Sequence, residues 1–409
     1  MSLNIAIAGA GIGGLAAAVL CARDGHRVTL FERFDQPRPV GSGLVIQPVG
    51  LAVLDQLGIG TAARDLSAPI TRMVGRDRRG DRMALDVSYP ADKPGRAFHR
   101  ASLFDLLWRV AQAEGIRVIT SARITDAPLM LGKRHLLLQD GGSHGPFDLV
   151  IDASGAGSAL SPMQARRLPF GALWASVPWP RASGLAQDML HQRYEGAHRM
   201  AGILPTGRVP DSPDPMATVF WSLPVERISD WPDIKIEDWR AAVCEHWPDM
   251  RPFVQDLPKS ALTPAIYSHG SLRRPYAAAL AHIGDAAHRT SPQLGQGANM
   301  ALLDAYALSL ALRREPVEDA LPAYAAMRRW HRRGYQAMSR LLTPMYQSHS
   351  RALPWLRNAL LAPSSRFPGI RSVLTHVVAG TVIPPLAGVA MPSEPPRLMT
   401  GDENAAATL

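Results

Sequence analysis

Cysteine and lysine are nearly missing from this chain. Its 409 residues hold two cysteines, Cys21 and Cys244, and only Lys93, Lys133, Lys235 and Lys259 among 44 basic side chains. Two cysteines cannot build a disulfide framework, and neither has partners at metal-ligand spacing. The pattern suits a reducing compartment, and Cys21, inside an apolar helix-forming run, reads as a small buried hydrophobe. Long apolar runs are lacking too, so no segment is expected to span a bilayer. The most apolar stretch, Leu3 to Leu20, has no Lys or Arg before it and is interrupted by four glycines. A strand–turn–helix is expected there rather than a secretory leader, which makes the cytoplasm the expected location. There is no long basic run. The net charge of +9 is scattered over pairs such as Arg78–Arg79, Arg166–Arg167, Arg273–Arg274 and Arg313–Arg314. Scattered charge of this kind reads as a solvated surface, with attraction for small anions as the second reading, and no nucleic-acid partner is expected.

What is present is globular: 46% hydrophobic and 19% charged residues, in a chain too long for one hydrophobic core. Leu3 to Ala8 reads as a strand, Leu15 to Arg23 as an alanine-rich helix stopped at Gly25, and His26 to Phe31 as a second strand. A loop punctuated by glycine and proline, Gln36 to Pro48, leads to a helix around Val49–Leu57. Ile70 to Ala97 reads as strands and charged turns. Ser102 to Ala113 returns to helix, with Leu103, Leu106, Leu107 and Val110 on one face. Strands are expected at Arg117–Ile124, Leu136–Gln139, Phe147–Ala153 and Ala279–Gly284, and helices at Gly297–Leu312 and Pro322–Leu342. Between Leu168 and Tyr276 the composition shifts to tryptophan, proline and alternating runs such as Ala217-Thr218-Val219-Phe220-Trp221, which suggests a mostly β region. The expected architecture is α/β: a discontinuous Rossmann-like domain from residues 1–69, 97–165 and 277–340, with an inserted β-rich domain from 70–96 and 166–276. A helical segment and loose tail complete it over 341–409. Such construction places a ligand site at the domain seam.

Gly9-Ala10-Gly11-Ile12-Gly13-Gly14 follows the first strand and opens the first helix. Gly9 permits the tight turn, Gly11 lets backbone approach a pyrophosphate, and Gly14 allows close helix–strand packing. The helix N-terminus then offers free N–H groups and a positive dipole to phosphates. Glu32 ends the second strand 18 positions after Gly14, where a carboxylate can accept bonds from a ribose. Arg33 beside it is a candidate cover for an adenine.

A second block separates FAD from NAD. His282-Ile283-Gly284-Asp285-Ala286-Ala287-His288 leads through Pro292 to Gly295-Gln296-Gly297-Ala298-Asn299 and a helix. A strand ending in Gly-Asp sets a carboxylate beside a polyol, two glycines let backbone lie against a flat ring, and the helix N-terminus can stabilise negative charge on a reduced flavin.

With these residues in view, the chain resembles the group A FAD-dependent monooxygenases, the para-hydroxybenzoate hydroxylase type of aromatic hydroxylase. The resemblance spans roughly residues 3 to 340. It includes both glycine blocks, Glu32-Arg33, the Gly-Ser-Gly-Leu-Val-Ile-Gln-Pro stretch from Gly41, and Arg100 ahead of its helix. It implies non-covalent FAD, with Asp285 at the ribityl or pyrophosphate, Arg100 at the phosphates, and the Gly297–Asn299 backbone at the isoalloxazine edge. Pro292 would line the cavity near the reactive face. It also implies NAD(P)H as electron donor, molecular oxygen as co-substrate, and hydroxylation of a small aromatic or otherwise electron-rich substrate through a C4a-hydroperoxyflavin. That chemistry is the flavin's, so no metal or nucleophilic triad is required. The substrate is expected between the β region and the flavin, with Trp174, Tyr194, Met200, Trp221 and Tyr267 as candidate wall residues. The segment from Leu341 to Val389 is similar to that of ubiquinone-biosynthesis hydroxylases, which implies weak contact with a membrane surface or a lipid-like substrate. The chain is expected as a monomer or homodimer.

One departure stands out. Where the family carries Ala-Asp-Gly-x-x-Ser, this chain reads Ala153-Ser154-Gly155-Ala156-Gly157-Ser158. Asp152, two residues before Ser154, would share its strand face and is a candidate substitute for the lost aspartate. The loss of that acid keeps open a flavin oxidase, dehydrogenase or reductase on the same scaffold, and a non-catalytic flavin-bound sensor. A halogenase is disfavoured, because no Trp-x-Trp-x-Ile-Pro segment is present.

Overall fold

Ile5 to Ala8 is apolar at every position and fully buried, as a central strand covered on both faces must be. In the computed structural model, which describes residues 2–392 apart from 37, 39–41 and 366, this strand is the centre of a parallel sheet. Strand β1 (Asn4–Ala8) runs into helix α1 (Ile12–Arg23) and strand β2 (Arg27–Phe31), and helix α2 (Arg100–Ala113) leads to strand β3 (Arg117–Ile119). Strand β4 (Leu149–Asp152) pairs with the other side of β1, and β5 (Leu280–His282) with the outside of β4. All four pairings are parallel, and Tyr276–Ala277 adds an antiparallel edge. The connections reverse direction between β1 and β4, so the crevice at their carboxyl ends is the natural place for a dinucleotide.

Helix α3 (Gly297–Leu312) packs on α1 over this sheet. Thirteen of its sixteen residues are buried, among them the polar Asn299, Asp304 and Ser309. Gly13 is where the two helices close up: a Cβ there would stand 3.2 Å from that of Ala301. Helix α4 (Val317–Tyr346) runs beyond the expected Leu342 and carries Pro322 and Pro344 within it.

A second, eight-stranded sheet follows the order His288–Arg289, Thr263–Ser271, Arg166–Pro178, Pro215–Pro224, Arg199–Arg208, Met189–Glu195, Arg72–Asp77 and Met83–Ser88. The excursion at 72–88 joins it through a parallel pairing of Arg72–Asp77 with Met189–Glu195. The region is not purely β. Helix Ile236–His246 and the turns around it cover one face, where Trp239, Val243 and Trp247 pack on Leu173, Ile203, Val219 and Trp221. The opposite face carries Trp174, Met200 and Phe220 and looks toward the parallel sheet's domain. Gly43 N–H donates to Thr218 Oγ1 across that seam, at 3.1 Å. Short helices Ala352–Leu356 and Pro368–Ala379 end the described chain, and the expected loose tail beyond Pro392 lies outside the described residues.

Candidate active site

The first glycine turn is shaped by two close approaches. Gly9 has φ +99°, and a Cβ there would meet the Ala153 carbonyl oxygen at 2.8 Å; one at Gly14 would lie 1.9 Å from the Gly9 oxygen. Gly11 differs, since a Cβ there would meet nothing within 4 Å. It faces a cleft of about 670 Å³ at the carboxyl ends of β1, β2 and β4, lined by Gly9 to Ile12, Glu32 to Phe34, Arg38, Arg100, Arg123 and Ser154 to Gly155. Glu32 is buried. Its carboxylate accepts from Ala10 N–H at 2.8 Å and Phe34 N–H at 3.1 Å, holding the turn against the end of β2. Arg33 and Arg38 flank the Phe34 ring, with guanidinium carbons 4.7 and 4.5 Å from its centroid. Arg38 and Arg123 escaped sequence reasoning. Arg38 sits in a loop without periodicity, and only the strand pairing brings Arg123 to the rim.

Arg100 opens α2 and donates Nε–H to the Ser42 carbonyl at 3.1 Å. Burial pushes its pKa down and the Asp285 carboxylate pulls it back up, so these residues, 185 positions apart, face one another electrostatically. Asp285 is exposed on the turn Gly284–Ala286 at the end of β5. The two glycine blocks therefore meet, and Ile283 lies 3.7 Å from the position a Cβ on Gly13 would take.

Beyond Asp285, Pro292 is exposed, Gly295 is left-handed at φ +60°, and α3 begins at Gly297 with no side-chain cap. A Cβ on Gly297 would also meet nothing. Asn299 is buried, and its side chain is fully occupied. Oδ1 accepts from Gln47 N–H at 2.7 Å, while Nδ2 donates to the carbonyls of Val45 at 3.1 Å and Gly295 at 2.9 Å. It clamps the 44–47 strand end to the start of α3, a role that spacing alone does not reveal.

Ser154 lies on the cleft wall, but Asp152 does not line the cleft. Asp152 is buried and accepts from Ser154 Oγ at 2.5 Å and Ser158 Oγ at 2.6 Å, and it bonds His282 at 2.7 Å. The expectation that Asp152 replaces the absent acid is corrected: its oxygens are consumed inside the fold.

Among the candidate substrate residues, Trp221 also needs correction. Side chains alternate along Pro215–Pro224, so Trp221 points to the helix-covered face while Phe220 faces the seam. Tyr194 and Met200 share the seam-side cluster but are packed and buried. Trp174 and Tyr267 are half-buried, with Trp174 Nε1–H donating to the Tyr267 oxygen at 2.6 Å.

Two uncapped helix N-termini, each beside a glycine over open space, with Arg33, Arg38, Arg100 and Arg123 around the cleft, fit an anionic dinucleotide. Comparison with known proteins agrees. Residues 7–39 match the family described as NAD(P)-binding Rossmann-like domain, and residues 277–335 match the family described as FAD binding domain. The chain is 29% identical over 402 residues to 6-methylpretetramide 4-monooxygenase of Streptomyces rimosus, covering 92% of each. It is 26% identical over 381 residues to 3-hydroxybenzoate 6-hydroxylase 1 of Aquipseudomonas alcaligenes, covering 84% of this chain and 88% of that protein. Among solved structures, Klebsiella pneumoniae HpxO complexed with FAD and uric acid aligns with a TM-score of 0.76 at 22% identity, over 92% of this chain and 97% of that one. The 2-methyl-3-hydroxypyridine-5-carboxylic acid oxygenase fold aligns at 0.75 and 23%, over 93% and 96%. The fold and the paired glycine sites define an FAD-binding flavoprotein. Within that class, the chain is an FAD-dependent oxidoreductase, similar to the group A FAD-dependent monooxygenases of the aromatic-hydroxylase type.

Proposed function

We propose that this enzyme hydroxylates a small aromatic or otherwise electron-rich molecule held at the seam between the two sheets, with NAD(P)H as reductant. FAD supplies the redox chemistry; the chain orients the substrate and keeps water out. The observation that carries the reading is the approach of the seam face of the eight-stranded sheet to the second glycine block. Burial raises the pKa of Tyr194, on that face, and Gln293, next to Pro292, acts to lower it, while the Tyr194 hydroxyl donates to Gln192 Oε1 at 2.8 Å. In this reading Glu32 and Arg33 hold the adenosine end of FAD, Arg100 and Asp285 its phosphates and ribityl chain, and the 295–299 backbone the ring edge. Trp174 and Tyr267 supply the polar handle of the substrate wall. Burial raises the Tyr267 pKa, so the phenol keeps its proton at neutral pH. Having accepted from Trp174, the phenol still has that proton to donate.

The proposed division of the chain keeps 1–69, 97–165 and 277–340 as the FAD-binding domain and 70–96 with 166–276 as the substrate domain. A cytoplasmic location and weak contact with a membrane surface belong to the same proposal. Among the described residues no helix is long and apolar enough to cross a membrane. The test is a screen of small aromatics for accelerated NADH or NADPH oxidation, followed by mass spectrometry of the product made under labelled dioxygen. Label in the product supports the monooxygenase; turnover with unlabelled product and hydrogen peroxide supports an oxidase or reductase instead.

A further inference from the structure

From Ala320 to Ser393 the sequence contains nine arginines and no aspartate or glutamate; Arg328, Arg332 and Arg357 are buried. Within that stretch, helix Pro368–Ala379 is clamped at one end only. Its last turns are buried: Val378 carbonyl accepts from Gln296 Nε2 at 3.1 Å, Val377 carbonyl from the Tyr335 hydroxyl at 2.9 Å, and Thr375 Oγ1 donates to Ser88 carbonyl at 2.8 Å. The other end stands free, and every residue from Phe367 to Val373 is exposed. Three of them are large and apolar, at a spacing of three: Phe367 at 65% exposure, Ile370 at 42% and Val373 at 53%. Trp355 at 70% and Leu360 at 57% precede them. Arg351 and Arg371 are exposed in the same stretch of chain, and among the described residues nothing covers these apolar side chains.

Apolar side chains in this number seldom stay in water without a partner. We propose that this face docks on an anionic phospholipid bilayer, with the Phe367–Val373 tip in the headgroup region. The choice follows from charge. An acid-free stretch of chain with exposed arginines and exposed aromatic and aliphatic side chains is attracted to negative headgroups and partitions its apolar groups below them. A second copy fits poorly, because a two-fold contact would pair this stretch with itself, and the stretch holds no carboxylate to neutralise Arg351 and Arg371. The inference deepens the surface contact proposed above by naming its residues and the lipid charge. It does not depend on the oxygen chemistry. The docked helix reaches Gln296 in the second glycine block, so the bilayer would lie at the outer end of an element whose inner end touches the flavin site.

The experiment uses the FAD-loaded full chain and sedimentation with vesicles of phosphatidylcholine, with and without phosphatidylglycerol. Partitioning is expected to rise by about tenfold or more with phosphatidylglycerol and to fall as salt is added. Phe367→Glu with Ile370→Glu should return it to the phosphatidylcholine level, and Arg351→Gln with Arg371→Gln should remove most of the salt dependence. Flavin absorbance and NADPH oxidation should be unchanged in both variants, since none of these four residues lines the cleft. Equal pelleting with both vesicle types, or pelleting unaffected by the glutamates, would overturn the inference. A light-scattering mass that halves in the glutamate variant, without vesicle binding by the parent, would assign the face to a second copy and overturn it as well. Vesicle binding without label incorporation would leave this inference standing while the monooxygenase reading failed.

Discussion

His282 Nδ1 lies 2.7 Å from Asp152 Oδ2, and this buried pair ties the ends of two neighbouring parallel strands together beneath the cofactor cleft. Burial alone would raise the pKa of Asp152, but the bonds from His282, Ser154 and Ser158 hold it below the usual carboxylate range. Ser154→Asp would place a second carboxylate within bonding distance of the first. The expected outcome is a lower melting temperature and weaker FAD binding from like-charge repulsion. Ser154→Ala should cost about 1.5–3 kcal/mol, the value of a bond to a charged acceptor. Thermal melts and FAD titration measure both. Faster reduction of Ser154→Asp by NADPH in anaerobic stopped-flow would contradict this account and return the position to nicotinamide handling.

Gly11 and Gly14 make opposite demands on an added methyl group. Gly14→Ala collides with the Gly9 carbonyl and should reduce soluble yield and stability whether or not FAD is present. Gly11→Ala meets no protein atom, so the apoprotein should fold as the parent does. Its FAD dissociation constant should nevertheless rise by about one decade or more, because the methyl group occupies the space reserved for pyrophosphate. Unchanged affinity in Gly11→Ala would place the phosphates elsewhere.

Asp285→Ala tests the second block. Loss of a carboxylate bonded to hydroxyls of a buried cofactor, at roughly 1.5–3 kcal/mol, should weaken FAD by about one to two decades. Asp285→Asn should recover part of it. Titration of apoprotein by flavin fluorescence quenching reads the result, and an unaltered constant would remove the Gly-Asp turn from the flavin.

The histidines predict a pH dependence of stability. Burial pushes the pKa of His331 down to about 3, helped by Arg328, and that of His246 down to about 4. Both are neutral in the folded chain and take up protons on unfolding below their ordinary pKa near 6.5. Their contribution is complete above about pH 6.5 and is lost as pH falls toward the folded values, at about 1.4 kcal/mol per pH unit for each histidine. Between pH 6.5 and roughly 5 few carboxylates titrate, so urea midpoints over that window report the histidines. His26, His99 and His269 are lowered by burial too, so His331→Gln should remove only one histidine's share of the slope, at most about 1.4 kcal/mol per pH unit; an equal slope in parent and variant would assign it to other groups.

The sequence disclosed what is local. The β1–α1–β2 unit, the helices after Arg100 and Gly297, and the central apolar strands follow from periodicity and glycine placement, which depend on nearest neighbours in the chain. It did not disclose contacts closed over long distances. Asn299 reads as part of a ring-facing loop, yet its side chain is taken by Gln47 and Val45, more than 250 positions away. Asp152 reads as available, yet His282 and two serines consume it. Trp221 and Phe220 are adjacent and both aromatic, so only the covering helix decides which faces the seam. That helix, Ile236–His246, is absent from the sequence reading of 168–276 as mostly β.

The order of strands across the parallel sheet has a consequence for biosynthesis. The innermost strand precedes its neighbours in the chain, and its two sides are completed on different schedules: one by residues 27–31, the other by 149–152 and then by 280–282. Asp285 and the start of α3 emerge later still. The nascent chain therefore carries an unfinished flavin pocket through most of translation, with one flank of its central sheet waiting for distant partners to arrive. A product terminated before Gly284 would hold the first glycine turn without the second glycine block.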